Sequence, residues 1–267
     1  MKSIPNVLTI AGSDSGGGAG IQADIKAISA TGSYACSVIT AITAQNTLGV
    51  SAVMPISSHM VSAQLDSVFS DLTIDAVKIG MLADADIIKT VADKLRQYQP
   101  KHIVLDPVMV ATSGDSLIQS DAVQALIDQL VPLATVITPN IPEALKLNGR
   151  QTEQGFNAVE TAKALLENGA NAILVKGGHA QTSSSDDILV TSREQHLYSA
   201  ERVKTNNTHG TGCTLSSAIA SYLAQGYELA PACDKAKQYL TMALRAADRL
   251  NVGKGHGPVN HFYQLNR

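Results

Sequence analysis

The chain has 267 residues, 45% of them hydrophobic and 16% charged, which is enough to bury a large core and excludes a disordered or fibrous polypeptide. A net charge of -3 with 4% aromatics and no tryptophan lacks both the basic footprint and the stacking platforms of nucleic-acid binders, so no nucleic-acid partner is expected. No run of about 18 apolar residues exists and no apolar leader opens the sequence, so neither a membrane span nor a signal peptide is expected.

Residues 7–11 read as a strand, followed by a glycine-rich loop and a helix with Ile21, Ile25 and Ile28 on one face. A strand at 38–43 comes next, then a helix carrying Val61, Leu65, Val68 and Phe69. Strands are predicted at 76–79 and 103–108, with a helix at 84–97 between them. A helix with Val123, Leu126, Ile127 and Leu130 leads to a strand at 136–138, a helix at 157–168 and a strand at 173–175. This alternation predicts βα units and a mostly parallel sheet covered on both faces. Residues 187–198, turning around Ser192, Arg193 and Glu194, read as an antiparallel hairpin at the far edge of the sheet, and the serine-rich stretch 181–187 reads as a surface loop. Helices at 214–224 and 230–250 close the chain, and without repeats or a long linker one domain is expected.

The stretch Thr208-His209-Gly210-Thr211-Gly212-Cys213 carries the sharpest chemical signal. It runs into a helix whose apolar stripe is Leu215, Ala218, Ile219, Tyr222 and Leu223. Two glycines free the backbone to gather the first amides at the positive end of the helix dipole, which makes an anion cradle. Cys213 lies where that field favours a thiolate, and a proton acceptor beside such a cradle points to phosphoryl transfer. A small buried core thiol is the alternative.

Several polar residues follow predicted strands, which gathers them at one sheet edge. Among them are Ser13 and Asp14, Gln45 and Asn46, Lys78 to Met81, Asp106, Asn140 with Glu143, and Lys176 with two glycines. The loop 12–20 matches neither a dinucleotide fingerprint nor a Walker loop, which leaves a plain turn or a close approach to a small ligand with Asp24 pointing at it. Asp106 is either a turn-capping carboxylate or a group near a triphosphate and its metal. Asn140-Ile141-Pro142-Glu143 reads as a helix cap or as a water-mediated Mg²⁺ site. Lys176 ends an apolar strand, where an ammonium needs an anionic partner such as phosphate. His179 and His209 read as polar loop residues, and Met81 as a possible pocket wall. The three cysteines, Cys36, Cys213 and Cys233, show no Cys-x-x-Cys spacing, which predicts free thiols and a cytoplasmic location.

Taken together these stretches resemble the ribokinase-like superfamily, and within it the hydroxymethylpyrimidine/phosphomethylpyrimidine kinases of thiamin biosynthesis. The resemblance covers nearly the whole chain and rests on Leu8–Asp14, Gly17–Asp24, Thr43–Thr47, Lys78–Leu82, Leu105–Met109, Thr138–Asn140, Val175–His179, Thr208–Cys213 and Gly257–Val259 in that order. It implies a three-layer αβα fold with ATP and Mg²⁺. It also implies Gly210, Thr211 and Gly212 as the anion hole, with Cys213 as base on a substrate hydroxymethyl group. Lys176, Asp106 and Thr211 would serve ATP, and Asn140 and Glu143 the metal. Asp24 and Gln45 would bind an aminopyrimidine edge, with Gly12, Ala19, Met81 and Val108 shaping the ring pocket. A homodimer is implied as well. Most of the superfamily carries Asp where Cys213 stands, and relatives often have Lys where Thr112 stands in a flap at 111–115. A pyridoxal-type kinase shares fold, cradle and cysteine and remains the nearest alternative.

Overall fold

The computed structural model describes residues 3–109, 120–150, 152, 156–179 and 183–265. The flap position Thr112 therefore lies outside the described residues.

The elements follow in the order β1 (Asn6–Ser13), α1 (Gly20–Ala30), β2 (Tyr34–Asn46), β3 (Gly49–Pro55), α2 (Ser58–Asp71), β4 (Ala76–Ile79), α3 (Ala85–Tyr98), β5 (Ile103–Leu105), α4 (Ser120–Gln129), β6 (Val136–Ile137), α5 (Ile141–Leu147), α6 (Ala158–Glu167), β7 (Ala172–Val175), β8 (Ser184–Thr191), β9 (Gln195–Glu201), α7 (Thr211–Ala224) and α8 (Leu229–Arg245). The strands form one sheet in the order β3-β2-β1-β4-β5-β6-β7-β8-β9. The six strands β2, β1, β4, β5, β6 and β7 run parallel, and β3, β8 and β9 are antiparallel edges.

Each central strand sends alternate residues to opposite faces, and both faces are apolar because helices cover both. On one face Leu8, Ile10, Val77, Ile79 and Leu105 pack with Val61 and Leu65 of α2, Val91 and Leu95 of α3 and Leu126 of α4. On the other, Val7, Ala76, Val104 and Val136 pack with Ile28 of α1, Leu215, Ala218 and Ile219 of α7 and Ala236 of α8. Each such Leu, Ile or Val side chain contributes about 1.5–3 kcal/mol by leaving water. In β4 this alternation puts Lys78 on the α1/α7 face, between apolar neighbours and fully buried.

The structure departs from the sequence expectations at three places. The edge strand β3 was not foreseen, because its residues are mostly exposed and carry no core-facing alternation. The serine-rich stretch is not all loop, since Ser184–Asp187 pair with Tyr198–Glu201 and extend the hairpin. The last long helix ends at Arg245, with a 3₁₀ turn Ala247–Arg249 after it.

Candidate active site

Helix α7 begins earlier than its apolar stripe suggests, so Thr211, Gly212 and Cys213 are its first three residues. Gly210 caps it with φ of 76°, a left-handed backbone that favours glycine, and a Cβ there would drive into the Gly18 carbonyl. First-turn amides have no intrahelical acceptor, and those of Gly212 and Cys213 meet no other acceptor among the described residues. Together with the helix dipole they form the expected anion cradle. A Cβ on Gly212 would lie 3.4 Å from Lys176 Nζ and 3.5 Å from Asp106 Oδ2, so the bare glycine opens the cradle onto these charges.

Asp106 follows β5 and Lys176 follows β7, neighbours separated only by β6. Lys176 Nζ donates to Asp106 Oδ1 at 2.7 Å and stands 3.8 Å from Glu143 Oε2. Ser216 of α7 donates to Asp106 Oδ2 at 3.1 Å, and Thr138 reaches Oδ1 at 3.3 Å. Burial works against the Asp106 anion, but Lys176 and Lys78 together hold its carboxyl below the usual carboxylate range. Glu143 differs: burial pushes it up to about 7, Asp106 adds to the rise, and Lys176 offsets only part of it. Asn140 and Glu143 form a reciprocal capping box at the start of α5, with bonds of 2.9 and 2.8 Å. That cap takes up Asn140 Oδ1, so the side-chain oxygen expected to serve a metal is already engaged.

Asp24 is the one expected site residue that does not line the cavity described below. Both its oxygens accept from Lys78 Nζ at 2.9 Å, Thr9 Oγ1 donates at 2.6 Å and Ser217 Oγ at 2.7 Å. The carboxylate faces inward because a fully buried ammonium on β4 must be neutralised, and this leaves nothing for an aminopyrimidine edge. The expectation for Cys213 also changes. Burial pushes its thiol up to about 11, Lys78 pulls it down, and Asp24 and Asp106 oppose that pull. The cradle has the right place but does not by itself yield a thiolate.

The glycine-rich loop is folded around a carboxylate of its own. Asp14 accepts from the amides of Gly16, Gly18 and Ala19 at 2.8, 3.0 and 2.8 Å, and His209 Nε2 lies 2.9 Å from the same carboxylate. Burial opposes the anion, yet these hydrogen bonds hold Asp14 below the usual carboxylate range. Gln45, beyond the core of β2, is tied by its backbone to Ser15 Oγ at 2.9 Å.

These groups border one cavity of about 680 Å³, within the range of small-molecule sites. Gly12, Ala19, Gln45, Met81 and Val108 line it, a set that suits a small flat ring. Gly210, Thr211, Gly212, Cys213, Asp106, Lys176, Asn140 and Glu143 also line it, and Val203, Leu240 and Leu244 supply an apolar wall. Within this lining the α7 amides and Lys176 form the anion-seeking part.

The sequence profile of the phosphomethylpyrimidine kinase family matches residues 14–260. The chain belongs to that family. This kinase is 54% identical to the hydroxymethylpyrimidine/phosphomethylpyrimidine kinase of Rhizobium meliloti over 96% of its own length and 97% of the relative's. It is 51% identical to a thiamine biosynthesis bifunctional protein of Geobacter sulfurreducens, over 96% of its length and 52% of that protein. Among solved structures, an ADP complex of the Bacillus subtilis pyridoxal kinase superposes with a TM-score of 0.89 at 35% identity, covering 99% and 100% of the two chains. The kinase thus has the ribokinase-like fold, and its sequence stands nearer the pyrimidine enzymes than that pyridoxal enzyme.

Some cavity residues of the kinase escaped the sequence reading. Lys78 was noted as a strand-end residue, yet it sits inside β4, and its charge in an apolar run was the signal. Lys237 lies on the apolar face of α8 between Cys233 and Leu240 and donates to Asp187 Oδ2 at 2.8 Å. A lone lysine in such a stripe is a readable cue. Asp14 and His209 carry no periodicity that would have paired them across 195 positions.

Proposed function

We propose that this kinase transfers the γ-phosphoryl group of ATP to the hydroxymethyl oxygen of 4-amino-5-hydroxymethyl-2-methylpyrimidine, and then a second phosphoryl group to the resulting monophosphate, in thiamine biosynthesis. The observation that carries the reading is the convergence of free α7 amides, Lys176 and Cys213 in the lining of one cavity. It agrees with the names of the full-length relatives, whereas the pyridoxal enzyme is more distant.

The pyrimidine sits against Gln45, Met81, Val108, Gly12 and Ala19, which turns its hydroxymethyl group toward Cys213. Val203, Leu240 and Leu244 receive the adenine end of ATP. The transferred group then passes between them, over the amides of Gly212 and Cys213, with Lys176 holding its oxygens. Such transfer depends chiefly on alignment and on neutralising charge. The thiolate form of Cys213 accepts the alcohol proton in the first step; because burial pushes the thiol up to about 11, that step quickens as pH rises. The second acceptor is a phosphate, already anionic at neutral pH, and needs no base.

Among the described residues no three His, Cys, Asp or Glu side chains form a metal cage. That fits Mg²⁺, which keeps most of its waters and needs only one or two carboxylates. Glu143, held near neutrality at about 7, and Asp106 are the carboxylates that would hold it, with Asn140 reaching it only through water. Bound there, it would offset phosphate charge.

The chain acts as one domain in this reading, supported by a single sheet that spans β1 to β9. It works as a homodimer, for which the exposed Ile42 and Met54, paired directly across β2 and β3, offer an apolar patch. The cytoplasm is its proposed location, in keeping with three free cysteines and an ATP substrate; no described helix is long and apolar enough to cross a membrane.

A coupled assay of ATP consumption with the pyrimidine alcohol, its monophosphate and pyridoxal tests the reading. Turnover on both pyrimidines above that on pyridoxal supports it, and a wide preference for pyridoxal overturns it.

A further inference from the structure

The cradle at Gly210 is not held by its own helix alone. Gly210 takes its left-handed conformation directly against the Gly18 carbonyl, with no room for a Cβ between them. A Cβ on Gly18 would in turn strike the His209 ring, so the two backbones stack only because both positions are glycine. His209 Nε2 then reaches Asp14 Oδ2 at 2.9 Å, with both residues buried. An ionised carboxylate has no proton to give, so the imidazole is the donor.

Asp14 already receives three amides from its own loop, which suffice to close that turn. The fourth donor comes from the residue adjacent to Gly210. It is the link between the loop that borders the ring end of the cavity and the turn that presents the phosphate-binding amides. From the opposite side, the His209 amide donates to Gly257 O at 3.0 Å. The loop after α8 is fixed in turn, since Thr47 Oγ1 accepts from Lys254 and Gly255 at 3.1 Å. His209 is therefore gripped by side chain and main chain at once, one residue before the cradle. A leucine would fill the same space without a direction; a hydrogen bond fixes an orientation.

We propose that His209, anchored on Asp14, is a positioning residue that sets the α7 amides for the transition state of phosphoryl transfer. This rests on the assignment of those amides to the transferred group. It does not touch the reacting atoms. Its effect is on contacts that matter most when charge moves, so its loss lowers kcat and leaves ground-state binding nearly intact.

The test is steady-state kinetics on the pyrimidine alcohol with His209→Ala, His209→Asn and His209→Gln, each with its thermal midpoint. A glutamine amide nitrogen reaches the place of Nε2, whereas that of asparagine stops short. We expect kcat to fall about 100-fold in the Ala and Asn variants, as for a misplacement of about 1 Å. Both KM values should stay within about 3-fold, and Gln should return kcat to within about 3-fold of the parent. A kcat within 3-fold in the Asn variant, or KM values that rise with a falling midpoint and no rescue by Gln, overturns the proposal. If the Ala variant does not fold, the contrast between Asn and Gln decides. Lys176→Met is assayed alongside. Full activity there overturns the assignment of the cradle itself, whereas a damaged Lys176→Met with an intact His209→Asn overturns only the role of His209.

Discussion

Two lysines lie beneath the first turns of α7, Lys78 buried and Lys176 partly so, and each meets a carboxylate, yet they are built differently. Lys78 lies between both oxygens of Asp24, and Thr9 and Ser217 complete that carboxylate, with no side-chain exposure on either partner. Lys176 holds one oxygen of Asp106, leaves Glu143 at 3.8 Å, and keeps 13% of its side chain open to the cavity. The first pair is saturated and the second is not. A saturated pair holds the sheet to α1 and α7, and an unsaturated one retains binding capacity for an incoming anion. The contrast separates structure from function where sequence alone shows only two lysines at strand ends.

Breaking one partner of the saturated pair should have the largest effect. Lys78→Met or Asp24→Leu alone should lower stability by about 3–5 kcal/mol, because each leaves a charge buried without its partner. The double variant should recover most of that loss in urea unfolding; if the single variants unfold like the parent, the pair is not structural. Lys176→Met should reverse the pattern. Its kcat should drop by about 100- to 1000-fold, the range for a lost electrostatic contact to the transition state, while its unfolding midpoint stays close to that of the parent. Stability loss with normal turnover would erase the distinction.

A third measurement concerns the sulfur between the pairs. With its thiol pushed up to about 11 by burial, Cys213 stays protonated through neutral pH and gains thiolate only as pH rises. Its alkylation rate in the free enzyme should climb about tenfold per pH unit from 7 to 10; a plateau near pH 8 would show an unburied thiol. The smallest effect belongs to the ring end. Gln45→Leu should raise KM for the pyrimidine about 5- to 10-fold, the loss of one hydrogen bond, with ATP KM unchanged.

Much of this was legible in the sequence because periodicity and strand-end position are local signals. The βα alternation predicted the parallel strands in order, and all expected site residues but one line the cavity. Asp24 failed because its direction depends on Lys78, 54 positions away, and pairing of buried charges is a tertiary property. The thiol of Cys213 failed for a related reason: the dipole is read from the start of a helix, but desolvation is set by everything packed around it. β3 was invisible because an exposed edge strand has no hydrophobic face to reveal it.

The central claim is that the amides of α7 face the transferred phosphoryl group while the sulfur of Cys213 takes the proton of the oxygen that accepts it. Single-turnover rates of both phosphorylations with Cys213→Ala test it most directly. The account predicts a loss of about 100-fold in the first step, the scale of general-base catalysis, and less than about 3-fold in the second. Equal losses in the two steps would contradict it.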